Sequence, residues 1–397
     1  MIFANLERLP PDPILGVTAA YRADPEPGKI DLGVGVYRDA DGNTPVPGAV
    51  REAERAVLAG QTTKTYVGPA GNLEFNERIV ELALGPLARE LRDRTATIQT
   101  VGGCGALRIG AELIHASTPH AVVHVSDPTW ANHAPLLGTS GLALEHYPYY
   151  DVATRGVAFE RMIDHFGRLP PESIVLLHAC CHNPTGADLD AEQWQAVADV
   201  CAARSLVPFV DLAYQGFGDD LETDVRGLRL LAVRLPQLLL AVSCSKNFGL
   251  YRERTGALAI VGEGPAVAAA IASHQTRTAR RMYSMPPDHG AAIVAHLLAT
   301  PSLRAQWQEE VAAMVSRMKS LRELLAARLA RRRPDLDFSW VTRHRGMFSL
   351  GGIGGEAVAE LRARHHVYVP PDGRINIAGV SEANVDRVAD GIGAVLG

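Results

Sequence analysis

The spacing of apolar and polar positions changes several times along the chain, and those changes mark out its elements. From about residue 97 onward, short continuous apolar runs alternate with stretches of helical period. The runs at 121–125, 142–147, 173–177, 206–210 and 238–242 predict buried strands, and 107–116, 191–204 and 266–282 predict helices. Strands that are apolar without alternation are covered on both faces. The βαβα order therefore predicts an α/β fold, a mainly parallel central sheet between helices. In such sheets ligands collect at the carboxyl ends of the strands.

The last part of the chain has a different rhythm. A long helical pattern covers 302–333, its basic end Arg331-Arg332-Arg333 suits the negative pole of a helix, and Pro334 stops it. Short strands are predicted near 338–341, 347–350 and 367–369, with helices at 356–365 and 382–395. This reads as a smaller α+β domain, with which the N-terminal arm is expected to pack. The resulting division is 1–44 for the arm and part of the small domain, 45–313 for the large domain and 314–397 for the rest of the small one.

With 397 residues, 47% of them hydrophobic and 21% charged, the chain has ample core for roughly two to three domains of about 150 residues each. A formal net charge of −5 provides no basic footprint for nucleic acid or an anionic membrane. The N-terminal residues lack the basic and apolar regions of a signal peptide, and no apolar run reaches about 18 residues. Five cysteines, an odd and sparse set, fit reduced thiols and a cytoplasmic location. Adjacent Cys180 and Cys181 lack the spacing of a zinc site or a Cys-x-x-Cys pair, so buried, inert thiols are expected.

The chemistry gathers where the predicted strands end. Strand 238–242 leads into Ser243-Cys244-Ser245-Lys246-Asn247-Phe248-Gly249-Leu250-Tyr251-Arg252-Glu253-Arg254. A lysine delivered to a sheet edge can be desolvated and deprotonated, as attack on a carbonyl requires. Ser243, Ser245 and Arg254 supply donors and charge for a phosphate beside it. Lysine, aldehyde and phosphate together point to pyridoxal phosphate. Asp211, after the strand 206–210, suits a protonated pyridine nitrogen, and Tyr214 suits the cofactor phenolate; capping of a turn is the plainer role for the aspartate. Asn183, in the turn His182-Asn183-Pro184-Thr185-Gly186, can donate to the same phenolate.

The run Gly102-Gly103-Cys104-Gly105 opens a helix and reads either as an ordinary turn or as a second half-site for the phosphate. Trp130, after Ser126-Asp127-Pro128-Thr129, suits either ring stacking or a core position. Arg374, at the entry of a short apolar strand, is either a solvated surface residue or a bidentate partner for a substrate carboxylate. Arg280 and Arg281 end a helix, where basic residues are common.

Taken together these segments resemble the class I, fold-type I aminotransferases, in their bacterial aspartate and aromatic amino-acid branch. The likeness runs from Asp12-Pro13-Ile14-Leu15-Gly16 to Gly373-Arg374-Ile375-Asn376-Ile377-Ala378-Gly379. It is most specific through 179–188, 213–218 and the Lys246 segment. The stretches 96–100 and 126–130 look closer to the aromatic members.

The resemblance implies that Lys246 forms the internal aldimine and later shuttles the substrate proton. It implies that Asp211 holds the pyridine nitrogen with His133 behind it, that Asn183 and Tyr214 hold the phenolate, and that Trp130 stacks on the ring. Gly103, Cys104, Ser243, Ser245 and Arg254 would surround the phosphate, with Tyr66 reaching it across a homodimer interface. Arg374 would bind the α-carboxylate, with Gly35, Trp130 and Asn183 at the pocket wall. Arg280 of the partner subunit would meet the second carboxylate of a dicarboxylic substrate.

Three residues depart from the family pattern. Cys104 replaces a hydroxyl ligand with a weaker donor, Cys244 replaces a bulkier aromatic, and Met285 replaces a small polar residue near Arg280. The expected activity is ping-pong transamination of aromatic amino acids, and of aspartate and glutamate, with 2-oxoglutarate as acceptor. A strict aspartate aminotransferase is the nearest alternative, and a lyase or decarboxylase on the same scaffold a further one. A ligand-sensing regulator would need a DNA-binding module, for which the chain offers no basic helix.

Overall fold

The computed structural model describes residues 2–9 and 13–396. Asp12, the first residue of the family likeness, lies outside the described residues.

Seven strands build the main sheet: β1 (Thr95–Val101), β2 (Val122–Asp127), β3 (Ala143–Pro148), β4 (Ile174–His178), β5 (Val207–Leu212), β6 (Leu238–Ser243) and β7 (Thr255–Val261). Their spatial order is β1-β7-β6-β5-β4-β2-β3. Only β7 runs against its neighbours, Gly256 facing Ser243 on one side and Thr100 on the other. The five strands predicted from apolar runs are all present, each within two residues of its expected limits. β4, β5 and β6 are buried along their whole length, which is why their sequences show no alternation.

Strands β1 and β7 are not among the predicted strands. The β7 sequence, Thr-Gly-Ala-Leu-Ala-Ile-Val, breaks its apolar run with Gly256 and two alanines. Packing explains the composition: a Cβ at Gly256 would come within 2.5 Å of the Gly102 carbonyl carbon and of the Val242 oxygen. The sheet and the helix Gly102–Ser117 meet there with no room for a side chain. The glycine run opening that helix forms its first turn.

The expected strand at 338–341 is corrected by the structure, which has a short helix at Ser339–Arg343. Asp337 accepts from both the Ser339 backbone N–H (2.8 Å) and its hydroxyl (2.7 Å), closing a turn. Phe338, Trp340 and Val341 are buried from that turn. An apolar run this short does not distinguish strand from helix.

A second apolar cluster joins Ile30 and Leu32 to Leu321, Leu325, Trp340, Ile375 and Val388. Ile30–Asp31 pairs in parallel with Val367–Tyr368, so the start and the end of the chain share this core. The long helix Pro301–Arg332 supplies residues to both cores and reaches the Lys246 loop through Trp307. Among the described residues no helix is long and apolar enough to cross a membrane.

Candidate active site

The carboxyl ends of β4, β5 and β6 open on one cavity of about 180 Å³. Lys246 enters it from the loop after β6. Two contacts hold that loop: Trp307 Nε1 donates to the Asn247 carbonyl (2.7 Å), and Phe248 stacks on Trp307 with ring centroids 4.5 Å apart. Gly249 N–H closes a turn on the Lys246 carbonyl at 3.0 Å. The lysine is thus presented by a clamped turn.

Burial pulls the Lys246 ammonium down to about 8, and the positive charges of Arg254 and Arg374 add to the shift. Its Nζ lies 5.0 Å from the Tyr251 ring centroid and 5.9 Å from that of Tyr214.

Asp211 sits inside β5, level with His178 and Ala241, because the strand runs two residues past its expected end at 210. Behind it the fully buried His133 places Nε2 3.2 Å from Asp211 Oδ2. Thr129 Oγ1 lies 2.7 Å from His133 Nδ1. Burial drives His178 down to about 3, so that ring is neutral. The result is a carboxylate supported from behind and open to the cavity in front.

At one wall Ser245 N–H donates to Ser243 Oγ (3.3 Å), and Arg254 Nη1 donates to Ser245 Oγ (3.2 Å). Gly102 has φ +65°, and a Cβ there would stand 2.6 Å from Arg254 Nη2. The guanidinium therefore lies directly against the start of the Gly102–Ser117 helix. Gly103 and Cys104 line the same end. Backbone N–H groups, two hydroxyls and a guanidinium converge there, a donor set that fits a phosphate. The Cys104 thiol is half-buried, and burial raises its pKa.

Across the cavity Arg374 is buried, its guanidinium carbon lying over Phe348, 4.1 Å from the ring centroid. Its Nη1 donates to Asn183 Oδ1 at 2.8 Å, and Nη2 reaches the Gly33 carbonyl at 3.4 Å. Among the described residues Nε finds no hydrogen-bond partner. A buried guanidinium that lines a cavity and keeps N–H donors unused suits an anion. Because Asn183 Oδ1 is held by Arg374, its amide nitrogen faces the Tyr214 hydroxyl at 3.5 Å.

Of the residues singled out in the sequence, Gly35, Gly103, Cys104, Trp130, Asn183, Asp211, Tyr214, Ser243, Ser245, Lys246, Arg254 and Arg374 line this one cavity, with Gly102 behind Arg254. Trp130 meets His133 edge to face at 5.3 Å. The surface role weighed for Arg374 is excluded by its burial. Tyr66, 90% exposed, and Arg280, exposed and donating to Ser284 Oγ, do not line the cavity of their own chain. Sequence reasoning missed Phe348 and His178. The first gave no signal beyond strand character, whereas the second is a polar residue ending an apolar strand.

Residues 27–392 match the family model "Aminotransferase class I and II". The chain is 46% identical over 391 residues to an aromatic-amino-acid aminotransferase of Paracoccus denitrificans, covering 98% of this chain and 99% of that protein. It is 40% identical over 396 residues to the aspartate aminotransferase of Escherichia coli strain K12, with both chains covered fully. Its fold superposes with a TM-score of 0.96, at 42% identity and full coverage of both chains, on an aromatic-amino-acid aminotransferase from Burkholderia pseudomallei covalently bound to pyridoxal phosphate.

Proposed function

The chain belongs to the class I and II aminotransferase family, and we propose that it is a homodimeric, pyridoxal-phosphate-dependent enzyme that moves amino groups from aromatic amino acids, and from aspartate and glutamate, to 2-oxoglutarate. The observation that carries this reading is the meeting, in one cavity, of a lysine held near pKa 8, a strand-borne carboxylate and a buried arginine with a free donor.

When bound there, the coenzyme supplies an electron sink for the pair left on the substrate Cα as its proton departs. The chain's own residues do the rest. Lys246 Nζ would hold the coenzyme aldehyde carbon covalently. The Lys246 amine would also take the proton from the substrate Cα and return it elsewhere. Asp211, braced by His133, would keep a proton on the ring nitrogen. The Asn183 amide and the Tyr214 hydroxyl would hold the ring oxygen, and Trp130 would cover a ring face. Gly102, Gly103, Cys104, Ser243, Ser245 and Arg254 would hold the phosphate, joined by the partner subunit's Tyr66. Arg374 would fix the α-carboxylate beside Gly35 and Asn183.

We further assign 1–44 and 314–397 to a small domain and 45–313 to a large one. The apolar lining contributed by Leu107, Trp130 and Phe348 supports aromatic side chains in the same pocket.

Cofactor-free protein permits a direct test of the lysine. At pH 7 only about one tenth of an amine with a pKa near 8 is neutral, and at pH 9 most of it is. Borohydride trapping of pyridoxal at Lys246, quantified by peptide mass spectrometry, should rise with pH through about 8 and then level off. A rise centred near the ordinary lysine value of 10.5 would contradict the assignment.

A substrate panel tests the breadth of the reaction. With 2-oxoglutarate as acceptor, phenylalanine and tyrosine should turn over with kcat/KM within about tenfold of aspartate, a gap of about 1.4 kcal/mol. Turnover of aspartate alone would make this a strict aspartate aminotransferase. Arg280→Ala should reduce kcat/KM for aspartate and glutamate about 10–100-fold, the loss of a charged hydrogen-bonded contact, and leave phenylalanine nearly unchanged. Equal losses for phenylalanine would remove the cross-subunit role.

A further inference from the structure

Transamination leaves one chemistry-bearing motif unused, the adjacent pair Cys180 and Cys181. Both thiols are buried, 7% and 2% exposed, as expected from sequence. The fold adds a third group, since a carboxylate oxygen of Asp224 and both sulfurs all lie within 4.8 Å of one another. Asp224 Oδ2 accepts from Gly216 N–H (2.8 Å) and Gly218 N–H (2.9 Å), while Oδ1 accepts from Asp219 N–H (2.8 Å). A carboxylate oxygen takes about two hydrogen bonds, so Oδ1 keeps capacity for a ligand. A cavity of about 260 Å³ reaches Cys180, Asp188 and Asp224, and its rim includes the exposed Asp190 and Arg226. The cluster therefore has an approach from solvent.

Burial pushes the Cys181 thiol up to about 12, and a hydrogen bond with Cys181, followed by burial, raises Cys180 well above the usual thiol range. Thiols held protonated in this way react poorly with alkylating and oxidising agents. A soft metal ion changes the balance, because it replaces the protons it expels. Two S–H bonds break, two metal–sulfur bonds form, two protons leave to solvent, and no electrons are transferred.

We propose that Cys180, Cys181 and Asp224 form a site for a thiophilic divalent cation of the zinc and cadmium class, and that filling it lowers turnover by displacing Asn183. Metal–sulfur bonds of about 2.3 Å to zinc, longer to cadmium, would tie both sulfurs and the Asp224 carboxylate, now within 4.8 Å of one another, to one ion and so constrain the Cys180–Cys181 backbone. Only His182 separates Cys181 from Asn183, and Asp188 binds the backbone N–H groups of both Cys181 (2.6 Å) and His182 (2.8 Å). A shift of this segment reaches the 2.8 Å contact between Asn183 and Arg374.

The test is a cadmium titration of the holoenzyme at neutral pH, read by thiolate-to-cadmium ultraviolet absorption and by activity. The band should saturate at one equivalent per chain while turnover falls at least about fivefold, and both changes should reverse with a chelator. Cys180→Ser should lose the band and retain turnover in cadmium, whereas Cys104→Ser should keep the band. Cadmium-113 resonance of the wild-type protein, which needs no variant, should report two sulfur ligands. Absence of the band, its survival in Cys180→Ser, its loss in Cys104→Ser, or a single-sulfur resonance would each overturn the site. Saturation without loss of activity would overturn the coupling to Asn183.

Discussion

Lys246→Ala should stop turnover, lowering kcat by about 10⁴-fold or more, because one group supplies both covalent attachment and proton transfer. The coenzyme should then be released on denaturation without borohydride leaving any adduct on the chain. Collapse of the fold is not the expected cause. An amine whose folded pKa lies near 8, below its ordinary 10.5, costs stability in full below about pH 8, and the cost fades as pH rises toward 10.5. Its removal at pH 7 should therefore leave the cofactor-free protein melting no lower than cofactor-free wild type. A variant turning over at near the wild-type rate would eliminate the mechanism proposed here.

Arg374→Ala should have the next largest effect, and it should be indiscriminate. Two charged hydrogen bonds to a carboxylate, at about 1.5–3 kcal/mol each, amount to about 10²–10⁴-fold in kcat/KM. The loss should be similar for phenylalanine, aspartate and 2-oxoglutarate, since each carries the carboxylate beside its reacting carbon. Arg374→Lys should recover little, because an ammonium cannot offer two parallel N–H bonds to the two oxygens as a planar guanidinium does. A loss confined to dicarboxylic substrates would reverse the roles given to Arg374 and Arg280.

These two residues also differ in how well the sequence revealed them. Lys246 declares itself within a dozen residues: an apolar run ending in Ser-Cys-Ser-Lys, with Arg254 close behind. Arg374 stands in a short segment that reads equally well as surface. Its meaning comes from Asn183, 191 residues away along the chain, and from Phe348, whose ring centroid lies 4.1 Å from the guanidinium carbon. The same holds for His133 and Asp211, which meet across 78 residues. Strand β7 escaped notice because its small residues answer to the approach of the Gly102–Ser117 helix. The strand expected at 338–341 became a helical turn, since a short apolar run carries no period.

By itself, then, the sequence determined the alternation of strand and helix, the parallel sheet with its ligand end, and the lysine, aspartate and tyrosine that imply the chemistry. Those features are local, encoded in side-chain period and in motifs a few residues long. Tertiary structure alone decided that Arg374 is buried with a donor to spare, that Lys246 is pulled down to about 8, and that Asp224 stands beside Cys180 and Cys181. Each of these depends on which distant segments exclude water from a side chain or bring a charge beside it, and no reading of neighbours in sequence contains that information.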